Sequence, residues 1–455
     1  MFRRCCLLLF AVSMVVLGAA RAGAEVTSAS AVLEKARAGD AEAQTLLGDM
    51  YADGKGLKQD YKMAAKWYRK AAEQGYAKAQ KKLGNFYTFG KGVKQDYKKA
   101  AEWYRKAAEQ GDAETQTLLG DIYTLGEGVK QDYKKAAKWY RKAADQGYVN
   151  AQYSLGVLYD EGLGVKQSDK KAAKWYRKAA ERGHADSQFN LGWMYENGRG
   201  VKQDYKNAAE WYTRAAANRQ APSSGCTRAQ FNLGLMYEKG IGVEQNYKRA
   251  IGYYLEAAEK GFEEAQNNLG NMYKDGRGVE QDYKTAAEWY KRAANLGRSS
   301  AQYNLGNMYF DGLGVEKDYK MAAKWYRKAA EQGHANSQYN LGLMHENGDG
   351  VEQDYKMAAE WYLKAADQGN SSAQSNLGWL YLTGKGIEQD YKKAVEWYLK
   401  AAEQGNTGAQ HNLGLMYEKG IGVKQDVDKA VEWYRKAALQ GSENAKEALK
   451  RLGEE

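Results

Sequence analysis

One proline in 455 residues removes the usual device for interrupting a helix, so a helical pattern in this chain runs until something else stops it. Cysteine is nearly as scarce. Of three, Cys5 and Cys6 fall in an N-terminal apolar run and only Cys226 lies beyond it, which excludes a disulfide-stapled scaffold. The four histidines, His184, His334, His345 and His411, stand at no metal-ligand spacing, and His345-Glu346 lacks a second histidine four residues after the first. There is no G-x-S-x-G, and the recurring G-x-G loops lack a third glycine and follow helical patterns, which excludes a nucleophile elbow and a dinucleotide or phosphate loop. We therefore expect no catalytic residue, no cofactor and no metal. Only one long apolar run exists, Cys5 to Ala20, and it is short for a membrane span. Behind the basic start Met1–Arg4, and ahead of Ala22-Gly23-Ala24, it reads as a secretory signal peptide over residues 1–24. The mature product is then expected in a bacterial periplasm or outside the cell, with no span left.

What the chain has in abundance is periodic. The dipeptide Leu-Gly recurs with its glycine at 48, 84, 120, 156, 192, 234, 270, 306, 342, 378 and 414, at intervals of 36 residues save one of 42. Each unit adds G-x-G (Gly54, Gly56), Trp-Tyr (Trp67, Tyr68) and Ala-Ala (Ala71, Ala72), and most close with a glycine such as Gly75. Such a period is the mark of a stacked array. Aromatic residues at 12% are too many for a disordered chain.

One unit can be read physically. Ala43, Leu47, Met50 and Tyr51 line one face of a first helix. Gly54 suits its left-handed C-terminal stop, and Asp60 the N-cap of a second helix. Tyr61, Ala64, Ala65, Tyr68, Ala71 and Ala72 make that helix's buried stripe. The mid-helix glycine of Leu-Gly costs about 1 kcal/mol against alanine. Its recurrence implies close helix–helix approach, with the alanines as the matching small surface. A hairpin this small cannot bury its apolar side alone, so units must stack.

The unit A-x-A-Q-x-x-L-G-x-M-Y-x-x-G-x-G-V-x-Q-D-Y-x-x-A-A-x-W-Y-x-K-A-A-x-Q-G resembles the Sel1-like repeat, a relative of the tetratricopeptide repeat, over about residues 41–441. Ser168-Asp169, Tyr253 and Val427 depart from it. The resemblance implies an all-α, right-handed superhelix of eleven hairpins, acting as a scaffold in complexes, envelope regulation or host contact. A cysteine-rich branch of such proteins is linked to penicillin binding, but the cysteines are missing here, which leaves an envelope hydrolase of that type as a remote alternative. We divide the chain into a signal peptide (1–24), a capping half-repeat (25–40), repeats one to five (41–217), an insertion (218–228), repeats six to eleven (229–441) and a capping helix (442–455).

The insertion holds Pro222 and Cys226, the latter expected as an incidental exposed thiol, and charge changes across it. Residues 25–228 carry 36 Lys and Arg against 25 Asp and Glu, a net +11; residues 229–455 carry 29 against 32, a net −3. A basic N-terminal arm suits an anionic glycan or lipopolysaccharide. Nucleic acid would suit the same charge, but export argues against it.

In an array, function belongs where units differ. Two variable first-helix positions lie four residues apart and share one face. They are apolar at Tyr153, Val157, Phe189, Trp193, Phe231 and Leu235, and again at Tyr339, Leu343, Trp379 and Leu415. The resemblance implies that first helices line a concave face, so these ten residues are expected to hold a peptide or amphipathic helix of a protein partner. The alternative is that they pack between units. A second row, Asn190, Asn232, Asn268, Asn304, Asn340, Asn376 and Asn412, would either hold a peptide backbone or make structural hydrogen bonds.

Overall fold

A computed structural model of the protein describes residues 29–218 and 223–454; the expected signal peptide lies outside them. The described residues form 24 α-helices and no strand. Eleven antiparallel hairpins, each an A helix followed by a B helix, are flanked by single helices at Ala29–Arg37 and Glu443–Leu452. The chain divides into two compact units at Lys178 and Ala179.

In the first unit the opening hairpin is Ala41–Asp53 with Tyr61–Glu73. Helix A stops because Gly54 takes φ 72°, letting its N–H reach the Met50 carbonyl. Helix B starts because the Asp60 carboxylate accepts the Lys62 and Met63 amides at 2.8 and 3.0 Å. The mid-helix glycine does mark close approach, but its partner is a ring rather than alanine. A Cβ on Gly48 would stand 2.5 Å from Tyr68 Cε1. The second glycine of G-x-G serves the joint between hairpins. A Cβ on Gly92 would lie 2.0 Å from the Tyr61 carbonyl oxygen of the preceding B helix, so no side chain fits there. Val32 and Ala36 of the first helix close the open end of the core against Leu47 and Trp67.

The second unit repeats this scheme. Tyr254, Tyr290, Tyr362 and Tyr398 are wholly buried between Leu and Met of the A helices and Ala of the B helices. Glutamines stitch successive hairpins. Gln338 Nε2 donates to the Ala330 carbonyl at 3.0 Å, while its Oε1 accepts from Gln368 at 2.7 Å. On the B helices a lysine or arginine lies over each tryptophan, as Lys364 does over Trp361 at 4.1 Å. Repeat six changes both members together, to Tyr253 and Glu256, and Tyr253 stacks on Tyr237 instead at 5.7 Å and 11°. Its A helix is lengthened to Ser224–Lys239. The extra N-terminal turn folds Cys226 inward to 3% exposure, with its thiol facing the Ala216 carbonyl at 3.5 Å. Cys226 is thus a buried thiol and not the exposed one expected.

Candidate partner-binding positions

Each core tyrosine of a B helix carries a hydroxyl into a nearly closed interior, where it needs an acceptor. The A helix of its own hairpin supplies one, in either of two places. Tyr68, Tyr104, Tyr140, Tyr290 and Tyr326 donate to the residue after Leu-Gly, namely Asp49, Asn85, Asp121, Asn271 and Asn307, at 2.6–2.7 Å. Tyr212, Tyr254, Tyr362 and Tyr434 donate instead one turn further on, to Glu196, Glu238, Glu346 and Glu418 at 2.5–2.6 Å. Tyr176 follows the second pattern toward Asp160 at 3.5 Å. In repeat ten both places are apolar, Trp379 and Leu382, and the Tyr398 hydroxyl has no acceptor.

This exchange accounts for half of the variable face. Val157, Trp193, Leu235, Leu343 and Leu415 stand after Leu-Gly in the repeats whose acceptor has moved to Asp160, Glu196, Glu238, Glu346 and Glu418, and Trp379 in the repeat that has none. Moving the carboxylate one turn down relieves that position of hydrogen bonding and lets it be apolar. Our reading of the sequence missed the rule. Its signal was available, as an acid three residues after five of the six apolar replacements.

All ten candidate residues are partly buried. The upstream member of each pair leans on its own repeat's core tyrosine: Tyr153 on Tyr176, Phe189 on Tyr212, Phe231 on Tyr254 and Tyr339 on Tyr362, at centroid distances of 5.6–6.0 Å. Phe189 and Trp193 rest on one core cluster, Phe231 and Leu235 on a second, and Tyr339, Leu343 and Trp379 on a third. Arg199 covers Trp193 at 5.1 Å, and Lys385 covers Trp379 at 4.8 Å.

The seven asparagines are also partly buried. Asn376 donates to the Tyr362 hydroxyl at 3.1 Å. Asn232, Asn268, Asn340 and Asn412 face the hydroxyls of Tyr212, Tyr254, Tyr326 and Tyr398. Asn304 donates to Asn267 at 3.1 Å. Five of the seven thus reach the core hydroxyl of the hairpin before them.

Burial shifts several titratable groups. It pushes the Asp121 carboxyl up to about 6, against the opposing hydrogen bond from Tyr140. It lowers His184 and His334, whose Nδ1 atoms accept the Ser187 and Ser337 amides and so cap two A helices. No group of three His, Cys, Asp or Glu suited to a metal ion occurs among the described residues. No helix among them is long and apolar enough to cross a membrane.

The family model described as Sel1 repeat matches eleven segments, at 41–76, 77–112, 113–148, 149–184, 185–219, 227–262, 263–297, 299–334, 335–370, 371–406 and 407–442. A protective antigen present in uropathogenic Escherichia coli strains, described as displaying an SLR fold, is 40% identical. The match covers 93% of this chain and 90% of that one, with a TM-score of 0.82. A Sel1 repeat protein from Oxalobacter formigenes is 36% identical over 69% of this chain and 89% of its own, with a TM-score of 0.55. No curated protein matches.

Proposed function

Since this chain belongs to the Sel1 repeat family, whose fold serves protein–protein interaction, we propose that it is an exported, non-catalytic scaffold. It holds a peptide or amphipathic helix of a protein partner on the apolar positions of its A helices. The observation that carries this reading is the shifted tyrosine acceptor. A repeat that only had to fold could keep Asp or Asn after Leu-Gly, as repeats one to three, seven and eight do. The other six place an apolar side chain there, partly exposed. Five of them compensate with an acid one turn away. Apolar groups kept at a surface, with the core repaired around them, fit selection for contact with another molecule.

Export rests on residues 1–24, and the relation to a protective antigen of uropathogenic Escherichia coli supports a product that leaves the cytoplasm. Mass spectrometry of the mature protein tests this. A chain beginning at Glu25 is the expected result, and an intact Met1–Ala24 would oppose it. The partner site is tested by crosslinking capture from the native cell envelope, comparing wild type with Phe189→Ala/Trp193→Ala/Phe231→Ala. We expect one or more proteins to be captured by wild type and lost from a variant that still melts cooperatively. Identical capture by both would move the site elsewhere.

A further inference from the structure

We propose that the B helices of the first unit form a docking face for a linear acidic polysaccharide. The charge that the sequence divides near residue 228 is concentrated further. Residues 29–178 carry 29 Lys and Arg against 19 Asp and Glu, whereas residues 179–455 carry 36 against 37. Most of the excess sits in one register. The second residue of a B helix and the residue four further on share a face. In the first unit that pair is Lys62/Lys66, Lys134/Lys138 and Lys170/Lys174, with Lys98 opposite Glu102 in repeat two. All seven lysine side chains are exposed, and none makes an ion pair, a side-chain hydrogen bond or a ring contact among the described residues. Most other cations of these helices are already engaged, with exposed Arg105 the exception. Lys99 and Lys135 bind Asp96 and Asp132 at 3.6 and 3.5 Å, and Lys106 and Lys142 lie over Trp103 and Trp139 at 4.2 and 4.3 Å.

The second unit shows what the same register looks like when it is neutralised. An acid or glycine joins the lysine in Lys206/Glu210, Lys248/Gly252, Lys284/Glu288, Lys356/Glu360 and Lys392/Glu396, and only Lys320/Lys324 keeps both cations. Repeats of one family therefore tolerate an acid there, and folding does not demand the lysines. Unpaired like charges four residues apart on one helix repel one another, a cost that a bound polyanion relieves.

The occupant follows from chemistry. Recurrence every 36 residues presents charge as rungs, which suits a chain polymer with evenly spaced anions. The free cations of this register are lysines, point charges rather than the planar forks that clasp phosphate. The tryptophans on these helices lie under lysines, which denies bases an open indole face to stack on, and an acidic glycan needs none.

The test is binding of the purified full chain to fluorescent alginate and to heparin, at rising salt. Double-stranded DNA and phosphatidylglycerol vesicles serve as rival probes. Two variants of equal charge change are compared: Lys62→Glu/Lys66→Glu/Lys134→Glu/Lys138→Glu in the first unit, and Lys284→Glu/Lys320→Glu/Lys324→Glu/Lys356→Glu in the second, with helicity checked by circular dichroism. We expect polysaccharide binding that falls steeply with salt, weakens about tenfold or more in the first variant, and stays within about twofold of wild type in the second. Absence of binding to both polysaccharides, equal loss in both variants, or tighter binding to DNA or vesicles would overturn the proposal.

Discussion

The hydroxyl of each core tyrosine decides what its A helix can afford to expose. Where the acceptor is present, losing the hydroxyl strands it. Tyr212→Phe, which removes the 2.6 Å bond to Glu196, is expected to lower stability by about 1–2 kcal/mol in urea unfolding. Tyr398 has no acceptor, so Tyr398→Phe is expected to be neutral or mildly stabilising. Equal losses in the two would refute the acceptor rule. Asp121 offers a second test. Its carboxyl, raised to about 6 by burial, holds a proton more tightly in the native state than in the unfolded chain. Its contribution to stability is thus full below pH ~4 and is lost as pH rises through about 6. Asp121→Asn copies the asparagines that accept the same bond in repeats two, seven and eight. It should raise stability at pH 7 by about 1–3 kcal/mol and leave it unchanged at pH 4.

Helices here are defined by their ends, and the A helices also by the glycine of Leu-Gly, and both were readable in advance. Asp60 and Gly54 cap as their residue types dictate. The glycine of Leu-Gly signals close approach, but spacing alone could not name Tyr68 as the group that fills the space, because the contact joins residues 20 apart on two different helices. Alanine at this glycine gains helix propensity and loses packing. Gly270→Ala, whose Cβ would meet the Tyr290 ring at 2.5 Å, is expected to destabilise by about 1–3 kcal/mol. Gly252→Ala, with nothing within 4 Å, should stabilise by about 0.5–1 kcal/mol in the same thermal or urea melts. Two A helices are capped by histidine. His184 and His334 accept backbone amides through Nδ1, and burial holds both below the ordinary imidazole range. Their contribution is present above that range and lost as pH falls through the lowered value. Between pH 7 and pH 5, wild type should therefore lose more of its melting temperature than His184→Asn/His334→Asn. Asn370 and Asn406 already perform this capping in later repeats, accepting at 2.9 Å.

Across the whole molecule, the period made the architecture legible, because every repeat obeys the same local rules and each hairpin needs its neighbours to bury its apolar side. Less legible were features set by contacts between elements. The inward turn of Cys226 depends on the lengthened helix Ser224–Lys239, and the division at Lys178 falls inside the unbroken helix Asp169–Glu181, where no residue pattern marks it. The candidate site lies between these extremes. Its apolar side chains stand out against the period, while the reason they could become apolar is found only in the tyrosine bonds. That reason makes the A-helix face the central functional claim. It is tested most directly by placing a photo-crosslinking amino acid at Leu235 or Leu415, and for comparison at exposed Leu363 on a B helix, in protein expressed in its own cells. The account predicts adducts with the same partner from Leu235 and Leu415 and none from Leu363. Adducts from Leu363 alone would contradict it.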